Sequence, residues 1–471
     1  MLASYAAMVI FGCFSAAWLF NFPQAQAEIA VIFFLEEFYF FFPFLPYFFL
    51  QKRMGFERAL WLFPLLWMLW EWIYLGLEFT MGTHLSAYSQ SSNIWLIQYI
   101  DITGMWGVSF WLMLFNVLIY KVYKTSKGQF RSSRFLKRIT FICTAMLGIP
   151  LLYTFYSFGQ YREVSLSAAT LSLLPTQFTS TYLSDPTKRV SIVEQTLHRN
   201  DSLAFAQQAK GVQSDLYVWP ETGLNFELAY SNLGNLLSEA TYDWGTALLT
   251  GCKGVPSEES QLDTRRHVSG VLLDPIAESV AFHHKTVLTP GQEAIPYHTS
   301  LARLPNFPIA ETDPHYFKKG IESQPLTLKT KNQRSFQVGV SLCYEQWYPS
   351  HWTRLAKNGS DFYVHLAGEG WYGNIGFQQF MANVSRMRCI ENRRQAARCA
   401  NVGLSMFIDQ FGRIKKVVKQ GSLDTITDKL HTSNTITSYA RYPALVPYLG
   451  MLTLLIGLIR TLFSKSKNKV A

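Results

Sequence analysis

The sequence Ser341-Leu342-Cys343-Tyr344-Glu345 follows the run Phe336-Gln337-Val338-Gly339-Val340, in which apolar residues alternate. This pattern predicts a buried β-strand, and the polar residues after it predict a turn at the strand end. A turn at that point would present the Cys343 thiol to a pocket. A cysteine becomes a strong nucleophile only with a base and a cation nearby, so other parts of the chain must supply both.

Two further predicted strands end in suitable side chains. Glu221 follows Leu216-Tyr217-Val218-Trp219-Pro220, and Lys285 follows Val280-Ala281-Phe282-His283-His284. Glu221 is either a general base for the thiol or a surface residue of a Pro-Glu turn. Lys285 is either a fixed cation that stabilises an oxyanion or an exposed lysine. A glutamate, a lysine and a cysteine at three strand ends together predict nucleophilic catalysis.

The composition predicts that part of the chain lies in a membrane. Apolar residues make up 49% of the 471 residues and charged residues only 16%. The net charge of +10 could suggest nucleic acid as a partner, but Lys and Arg are concentrated beside apolar runs, in the segments 51–58, 121–138 and 460–471. The positive-inside rule gives this distribution, which argues against a nucleic-acid surface.

Six apolar runs approach the ~20 residues that span a bilayer. They lie at 4–21, 29–50, 59–78, 102–123, 138–158 and 443–463. The first is alternatively a signal peptide, since Ala25-Gln26-Ala27 resembles a cleavage site, although no basic residues precede the run. Loops after the first and third runs contain no Lys or Arg, whereas those after the second and fourth are basic. We therefore predict cytoplasmic termini and an external segment over 159–442.

Several residues within these runs need an explanation. Glu36, Glu37 and Glu71 are ionisable groups at membrane depth, so they form either interhelical hydrogen bonds or the lining of a headgroup cavity. Pro43 and Pro46 predict a kink in the second run.

Strands and helices alternate along the external segment, which predicts an α/β domain. Predicted strands lie at 164–174, 216–219, 246–251, 336–342, 362–366 and 404–408, with a hairpin around Asp274-Pro275. Asp185-Pro186 predicts a helix start, and we expect that helix to break near Asn200. A further helix is predicted over 376–394. The resulting domains are 1–160, 161–437 and 438–471.

The cysteines and histidines do not predict a metal site. No CxxC or Cys/His metal spacing is present, and the pair His283-His284 has no second cluster of ligands to complete it. The spacing leaves open a disulfide among Cys252, Cys389 and Cys399. We expect neither a metal nor another cofactor.

The order Glu221, Lys285, Cys343, in the settings Trp-Pro-Glu, Lys and Cys-Tyr-Glu, resembles the catalytic triad of the nitrilase (carbon–nitrogen hydrolase) superfamily. With its membrane runs, the chain from about residue 70 onward is similar to the apolipoprotein N-acyltransferase family. Further stretches that match this family are Tyr88-Ser89-Gln90, 97–104, Glu293 in 291–296, Trp371-Tyr372-Gly373, Arg388, Glu391, Arg398, 401–405 and Tyr439-Ala440-Arg441.

The resemblance implies an α-helical membrane bundle of about six transmembrane helices, with a nitrilase-like αββα sandwich domain inserted before the last. It also implies acyl transfer from a membrane phospholipid, through a Cys343 thioester, to the α-amino group of the N-terminal diacylglyceryl-cysteine of a lipoprotein. Glu221 would act as base, and Lys285 with a backbone N–H would hold the oxyanion. Supporting roles would fall to Glu293, Tyr344 and Glu345. The protein would be a monomer in the bacterial inner membrane, with its catalytic domain on the periplasmic face.

Two alternatives stay open at this point. One is a membrane-tethered amidase of the same superfamily, which hydrolyses C–N bonds. The other is a lipid-binding membrane protein whose nitrilase domain has lost catalysis. Two departures from the family pattern favour the second: Glu369 in the turn before Trp371, and Gln379 in Gln378-Gln379 for Gln-His. Other departures are a short helical part and Pro290-Gly291-Gln292-Glu293 for Pro-Phe-Gly-Glu. The intact triad argues against this second alternative.

Overall fold

The computed structural model describes residues 2–15, 34, 36–125, 133–161, 167–178, 186–221, 224, 232–255, 265–297, 300, 316–370 and 375–467. The chain forms two compact units. One, the helical unit, comprises 1–162 and 441–471. The other, the α/β unit, comprises 163–440.

The helices of the helical unit are α1 (Leu2–Ser15), α2 (Phe44–Met54), α3 (Phe56–Tyr74), α4 (Ile100–Thr103), α5 (Met105–Thr125), α6 (Ser133–Gln160) and α12 (Leu445–Lys467). Among the described residues, two helical stretches are long and apolar enough to cross a membrane, Met105–Lys124 in α5 and Leu136–Gln160 in α6. A shorter apolar stretch, Leu445–Arg460, lies in α12. The described residues therefore leave the other predicted spans unconfirmed.

Interruptions divide two of the predicted runs. Residues 40–43 form a turn that ends at Pro43, and α2 begins directly after it. Because proline lacks a backbone N–H, this turn is the kink expected there. In the fourth run, Gly104 has a φ of +63° and separates α4 from α5. The possible cleavage site at Ala25-Gln26-Ala27 lies outside the described residues.

Two of the three glutamates in the predicted membrane runs form hydrogen bonds between segments of the helical unit. Glu36 accepts the backbone N–H of Met81 at 2.6 Å, and Glu71 accepts that of Ser86 at 2.7 Å. These bonds tie the two glutamates to the loop that follows α3. Glu71 in α3 also accepts the hydroxyl of Ser109 in α5, which is an interhelical hydrogen bond, the first of the two alternatives. Glu37 is also buried, but it has no hydrogen-bond partner within the described part of the chain.

Two six-stranded sheets form the centre of the α/β unit. The first sheet has the order β12-β1-β2-β3-β4-β5 and the second the order β11-β10-β9-β8-β7-β6. The strands are β1 (Ala168–Leu173), β2 (Leu216–Val218), β3 (Ala247–Val255), β4 (His267–Asp274), β5 (Ser279–His284), β6 (Leu326–Lys329), β7 (Ser335–Leu342), β8 (Phe362–Gly368), β9 (Ala396–Asn401), β10 (Met406–Ile408), β11 (Ile414–Val417) and β12 (Ile426–His431). The strands β1 to β3 pair in parallel, as do β7 to β9.

The two sheets face each other across one apolar core, to which both contribute residues such as Val218 and Val340. The helices α7 (Pro186–Ala209) and α8 (Asn232–Trp244) cover the first sheet. The helices α9 (Pro349–Lys357) and α10 (Ile375–Asn392) cover the second, and α11 (Ser438–Arg441) ends the unit. The layers run helix, sheet, sheet, helix, so the predicted nitrilase-like α/β sandwich is present.

Three local expectations are resolved in this unit. The hairpin around Asp274-Pro275 is confirmed, since β4 and β5 pair antiparallel. The break near Asn200 is wrong, because α7 is continuous and the Asn200 amide oxygen accepts the indole N–H of Trp219 at 3.1 Å instead of competing for the helix backbone. The cysteines left open for a disulfide are all free; Cys252, Cys389 and Cys399 lie in three different core clusters.

Candidate active site

Three strand ends from the two sheets converge at one edge of the α/β unit. Glu221 lies three residues after β2, Lys285 directly after β5 and Cys343 directly after β7. All three sites were predicted at strand ends from the alternation of apolar residues. Glu221 and Lys285 are buried, with 5% and 1% of their surface exposed, whereas Cys343 is partly exposed. A reacting group could therefore reach the thiol while the charges around it stay shielded from water.

The Lys285 ammonium bridges two buried carboxylates. Its Nζ donates to Glu221 Oε1 and to Glu293 Oε1, at 3.0 Å in both cases. Burial alone would lower the pKa of Lys285, but the charges of Glu221, Glu293 and a Cys343 thiolate outweigh it and raise this pKa well above its usual value. Lys285 is therefore a permanent cation in this site.

Cys343 sits at a strained turn. Its φ is +36°, in a region that residues with a side chain seldom adopt, and it begins the short 3-10 helix Cys343–Trp347. Its Sγ lies 3.9 Å from the carbonyl oxygen of Gly368. Burial and the Glu221 carboxylate raise the pKa of the thiol, whereas Lys285 lowers it by less. The thiol is thus protonated at rest and needs a base to remove its proton.

Glu293 is fixed from both of its oxygens. Oε1 accepts from Lys285, and Oε2 accepts the backbone N–H of Thr289 at 2.8 Å. Burial acts to raise the pKa of Glu293, but the charges of Lys285 and Lys253 and these hydrogen bonds lower it below its usual value. Glu293 is therefore ionised, and it holds the lysine against Glu221.

Tyr344 and Glu345 lie in the 3-10 helix that Cys343 begins. Tyr344 is buried, and its hydroxyl accepts that of Tyr348 at 3.4 Å. Glu345 is fully buried and accepts the backbone N–H groups of Leu342 (2.8 Å) and Thr286 (2.6 Å). These two residues are the chain neighbours of Cys343 and Lys285. One carboxylate thus joins the strand end that carries the thiol to the one that carries the ammonium.

A glycine provides the room that Glu221 needs. An added Cβ at Gly251 in β3 would lie 2.1 Å from the carbonyl oxygen of Glu221. The Gly251 N–H also bonds to Pro220 at 3.3 Å. The approach depends on the pairing of β2 with β3, so nothing in the local sequence around Gly251 indicated it.

Histidines surround Glu345 in an arrangement that the sequence did not reveal. His283 Nε2 and His351 Nε2 lie 3.3 and 3.4 Å from Glu345 Oε2. These spacings would suit a small metal ion, but the donors already serve hydrogen bonds: Glu345 accepts the backbone amides, and His351 Nε2 also lies 3.1 Å from the carbonyl oxygen of Val340. A cation would have to displace this network. The neighbouring His284 points elsewhere, bonds to Ser269 and stacks on His267, so the pair His283-His284 does not act together.

Glu369, which departs from the family pattern, forms a buried ion pair in the structure. Its buried carboxylate pairs with the Arg398 guanidinium, and Arg398 also donates to the Leu404 carbonyl at 2.6 Å. Burial raises the pKa of Glu369, and Arg398 opposes this. The loop after β8 is therefore anchored to β9. The motif Trp371-Tyr372-Gly373 lies outside the described residues.

Among solved structures, Saccharomyces cerevisiae Nit3, a member of branch 10 of the nitrilase superfamily, superposes with a TM-score of 0.41 and 13% sequence identity, covering 60% of this chain and 96% of Nit3. The apolipoprotein N-acyltransferase of Chlorobaculum tepidum is 28% identical over 463 residues, which covers 94% of this chain and 84% of that protein. That of Geobacter metallireducens is 25% identical over 410 residues, with coverages of 83% and 72%.

Two family models match successive parts of the chain. The model of the apolipoprotein N-acyltransferase N-terminal domain matches residues 1–118. The model of the carbon-nitrogen hydrolases matches residues 179–440, more than half of the chain, and this segment holds Glu221, Lys285 and Cys343. The chain therefore belongs to the carbon-nitrogen hydrolase family, in the branch of the apolipoprotein N-acyltransferases.

Proposed function

We propose that the protein transfers an acyl chain from a membrane phospholipid, through a thioester on Cys343, to the α-amino group of the N-terminal diacylglyceryl-cysteine of lipoproteins. The observation that carries this proposal is the buried Lys285 ammonium, held by Glu221 and Glu293 beside the strand end of Cys343. The three groups supply a base, an electrophilic cation and a nucleophile in one site.

In the first step, Glu221 takes the proton of the Cys343 thiol, and the sulfur attacks the carbonyl carbon of the phospholipid ester. A C–S bond forms, and the carbonyl oxygen becomes an oxyanion. Lys285 and the backbone N–H of Tyr344 stabilise that charge. The oxyanion then collapses, the ester C–O bond breaks, and Glu221 returns its proton to the departing alkoxide. A lysophospholipid leaves, and the acyl chain remains as a thioester.

In the second step, the neutral α-amino group of the lipoprotein attacks the thioester carbon, and Glu221 takes one of its protons. A C–N bond forms and the C–S bond breaks. The proton on Glu221 then passes to the Cys343 sulfur, which restores the thiol. Because both steps use the same acyl-enzyme, the kinetics should be ping-pong.

The buried charges prepare the site for both steps of the reaction. The fixed charge of Lys285 costs no reorganisation when the oxyanion forms, because Glu221 and Glu293 already hold the ammonium in place. A protonated resting thiol also protects the enzyme from side reactions. The thiolate forms only while Glu221 holds the proton, at the moment of attack.

We also propose a multi-pass arrangement in the bacterial inner membrane, with six spans, cytoplasmic termini and the segments 1–160, 161–437 and 438–471 as its parts. Contacts inside the helical unit support the alternation of sides. Glu57 at the start of α3 forms ion pairs with Lys121 and Lys124 at the end of α5, at 2.8 and 2.7 Å. The two basic segments predicted to be cytoplasmic therefore adjoin each other.

The opposite ends of the helices meet the loop predicted to be external. Thr154, near the end of α6, donates to the Trp95 carbonyl at 2.6 Å. In α12, the space beside Gly450 is filled by Met68 and that beside Gly457 by Leu62. The last helix thus runs antiparallel to α3, which is consistent with a cytoplasmic C-terminus.

The partners of the enzyme would be a phospholipid donor and a diacylated lipoprotein acceptor, bound by a monomer.

The membrane-tethered amidase is not favoured, because residues 1–118 match the N-terminal domain of the acyltransferases. The test of the proposal is complementation in cells depleted of their own enzyme, with lipoprotein N-termini read by mass spectrometry. Wild type should restore triacylated lipoprotein, and Cys343→Ala should not. Cys143→Ala, which removes a cysteine of the helical unit, should behave as wild type. Triacylation by Cys343→Ala would overturn the proposal.

A further inference from the structure

Glu345 is placed to couple the two halves of the catalytic centre. Its Oε1 accepts both the N–H and the hydroxyl of Thr286, at 2.6 and 2.7 Å, and its Oε2 accepts the N–H of Leu342 at 2.8 Å. Thr286 follows Lys285 and Leu342 precedes Cys343. The orientation of one carboxylate plane therefore sets the separation of two strand ends that belong to different sheets.

This orientation must be held against a strained backbone. Cys343 has a φ of +36°, a strained conformation that persists only when its surroundings determine it. The hydrogen bond from the Leu342 N–H to the Glu345 carboxylate closes the turn directly before Cys343. If the carboxylate rotated, the turn could relax and Sγ would leave its position.

The two histidines supply the remaining donors to Glu345. His351 Nε2 faces two groups, Glu345 Oε2 and the carbonyl oxygen of Val340. Both are hydrogen-bond acceptors, so Nε2 carries the proton of the imidazole. His351 Nδ1 then accepts from the hydroxyl of Ser323, which lies at 3.0 Å. His283 donates from its Nε2 to the same carboxylate oxygen. Both rings approach Oε2 from elements other than that of Glu345, namely β5 and α9.

The hydrogen-bond donors to Glu345 are groups other than the Lys285 ammonium. Lys285 lies next to Thr286 in the chain, and its ammonium is bound to Glu221 and Glu293. A carboxylate with few donors would compete with these two for the ammonium. Five donor groups, from two backbone amides, a hydroxyl and two imidazoles, leave Glu345 ionised without drawing on the Lys285 ammonium.

We propose that His283 and His351 are positioning residues for the acyl transfer, which hold the Glu345 carboxylate in the orientation that aligns the Cys343 thiol with the Lys285 ammonium. The proposal rests on the proposed function for its substrate. It goes beyond that function in assigning roles to two histidines that touch neither the donor nor the acceptor.

The test is single-turnover acylation of purified full-length protein, followed by intact mass. The donor is an equimolar mixture of oleoyl phosphatidylethanolamine and phosphatidylglycerol in detergent micelles. We expect His351→Leu to lower the maximal acylation rate by about 10- to 100-fold, because a shift of 1 Å can cost that much. The half-saturating donor concentration should stay within about threefold, since no donor contact is lost. His351→Gln keeps an N–H donor and should recover most of the rate.

A matched control separates positioning from general loss of stability. His365 is also fully buried, and its bond goes to the Ser341 hydroxyl at 3.2 Å. His365→Leu should lower the unfolding temperature without the loss of rate. Equal losses of rate in His365→Leu and His351→Leu would overturn the proposal, as would an acylation rate of His351→Leu within about threefold of wild type.

A second acyl donor distinguishes failure of this proposal from failure of the proposed function. Reaction with p-nitrophenyl butyrate needs the aligned thiol but no phospholipid. If wild type reacts with this ester and not with phospholipid, the proposed function fails, and the ester rates of the same variants still decide the role of the histidines. A loss in His351→Leu that His351→Gln restores supports positioning, and equal rates in all variants contradict it.

Discussion

Replacement of Lys285 by methionine is the sharpest test of the charge arrangement in the site. Lys285 Nζ lies 3.0 Å from Glu221 and 3.0 Å from Glu293. With an effective dielectric constant of about 20, Coulomb's law gives ~5.5 kcal/mol for each contact. Desolvation of the buried ammonium offsets much of this, and loss of one partner of a buried pair typically costs about 3–5 kcal/mol.

This cost can be converted into an unfolding temperature. The α/β unit spans residues 163–440, and ~2.1 cal/mol/K per residue gives an unfolding entropy of about 0.6 kcal/mol/K. Lys285→Met should therefore lower the unfolding temperature of this unit by about 5–8 °C. The assay is thermal unfolding followed by tryptophan fluorescence, since Trp219, Trp347 and Trp352 are buried there.

The double variant shows whether charge is the cause. Without the lysine, Glu221 and Glu293 are two buried carboxylates that repel each other, and one of them must take up a proton. Lys285→Met with Glu293→Gln removes one of these charges and should regain about 1–3 kcal/mol relative to Lys285→Met alone. An unchanged unfolding temperature in Lys285→Met, or a further loss in the double variant, would refute this account of the site.

Three further predictions follow from the same geometry. Glu221→Gln should slow both acylation, by about 10²- to 10⁴-fold, and alkylation of Cys343 by iodoacetamide, because the base that takes the proton of the buried thiol is gone; alkylation as fast as in wild type would contradict this. Gly251→Ala should lower acylation on the order of 100-fold by displacing Glu221, whereas Gly159→Ala, with open space around it, should not; equal rates for the two variants would argue against the packing. Burial lowers the pKa of His351 to about 4, below its value in the unfolded chain. The contribution of His351 to the free energy of unfolding is therefore complete above pH 6.5, and it falls by up to about 3 kcal/mol as the pH drops toward 4. The unfolding temperature of His351→Gln should depend less on pH, and a pH dependence identical to that of wild type would contradict a buried neutral His351.

Strand ends were the part of the α/β unit that local sequence could predict. Before Cys343, apolar residues recur with a period of two and then give way to polar ones, so strand and turn are both visible. Before Lys285, the short apolar run Val280-Ala281-Phe282 gives way to polar residues after the predicted hairpin turn. Four strands were missed: β6, β9, β11 and β12. The residues of β11 are all exposed, those of β9 are all buried and those of β12 are mostly half-buried, so none of these three shows such a period. In β6 the residues alternate, but the strand has only 4 residues. The predicted break at Asn200 failed because a tertiary partner, Trp219, satisfies the side chain.

The contacts that hold the proposed catalytic residues in place could not be predicted in the same way. Glu345 was visible because it lies two residues after Cys343, but its contacts with His283 and His351 arise from the packing of β5 and α9 around it. Each histidine alone could be an ordinary core residue. Only their contact with the same carboxylate oxygen indicates a positioning role. Likewise, the contact of Gly251 with Glu221 is a consequence of strand pairing.

The helical unit illustrates a different limit. Hydropathy and the distribution of Lys and Arg predicted runs and their sides, but the helices that result are interrupted at 40–43 and at Gly104. Intramembrane carboxylates were recognised by their cost, yet their donors, such as Met81 for Glu36, lie in a loop without a regular pattern. Such partners follow from tertiary structure alone.

The most direct test of the central claim is intact-mass analysis of the purified protein with a phospholipid of defined acyl chain, followed by addition of a diacylated lipopeptide. The account predicts one acyl adduct on wild type that hydroxylamine removes, none on Cys343→Ser, and transfer of the acyl group to the peptide amine. An adduct lost to water at the same rate with or without peptide would contradict acyl transfer. An adduct of equal amount on Cys343→Ala would contradict the assignment of the nucleophile.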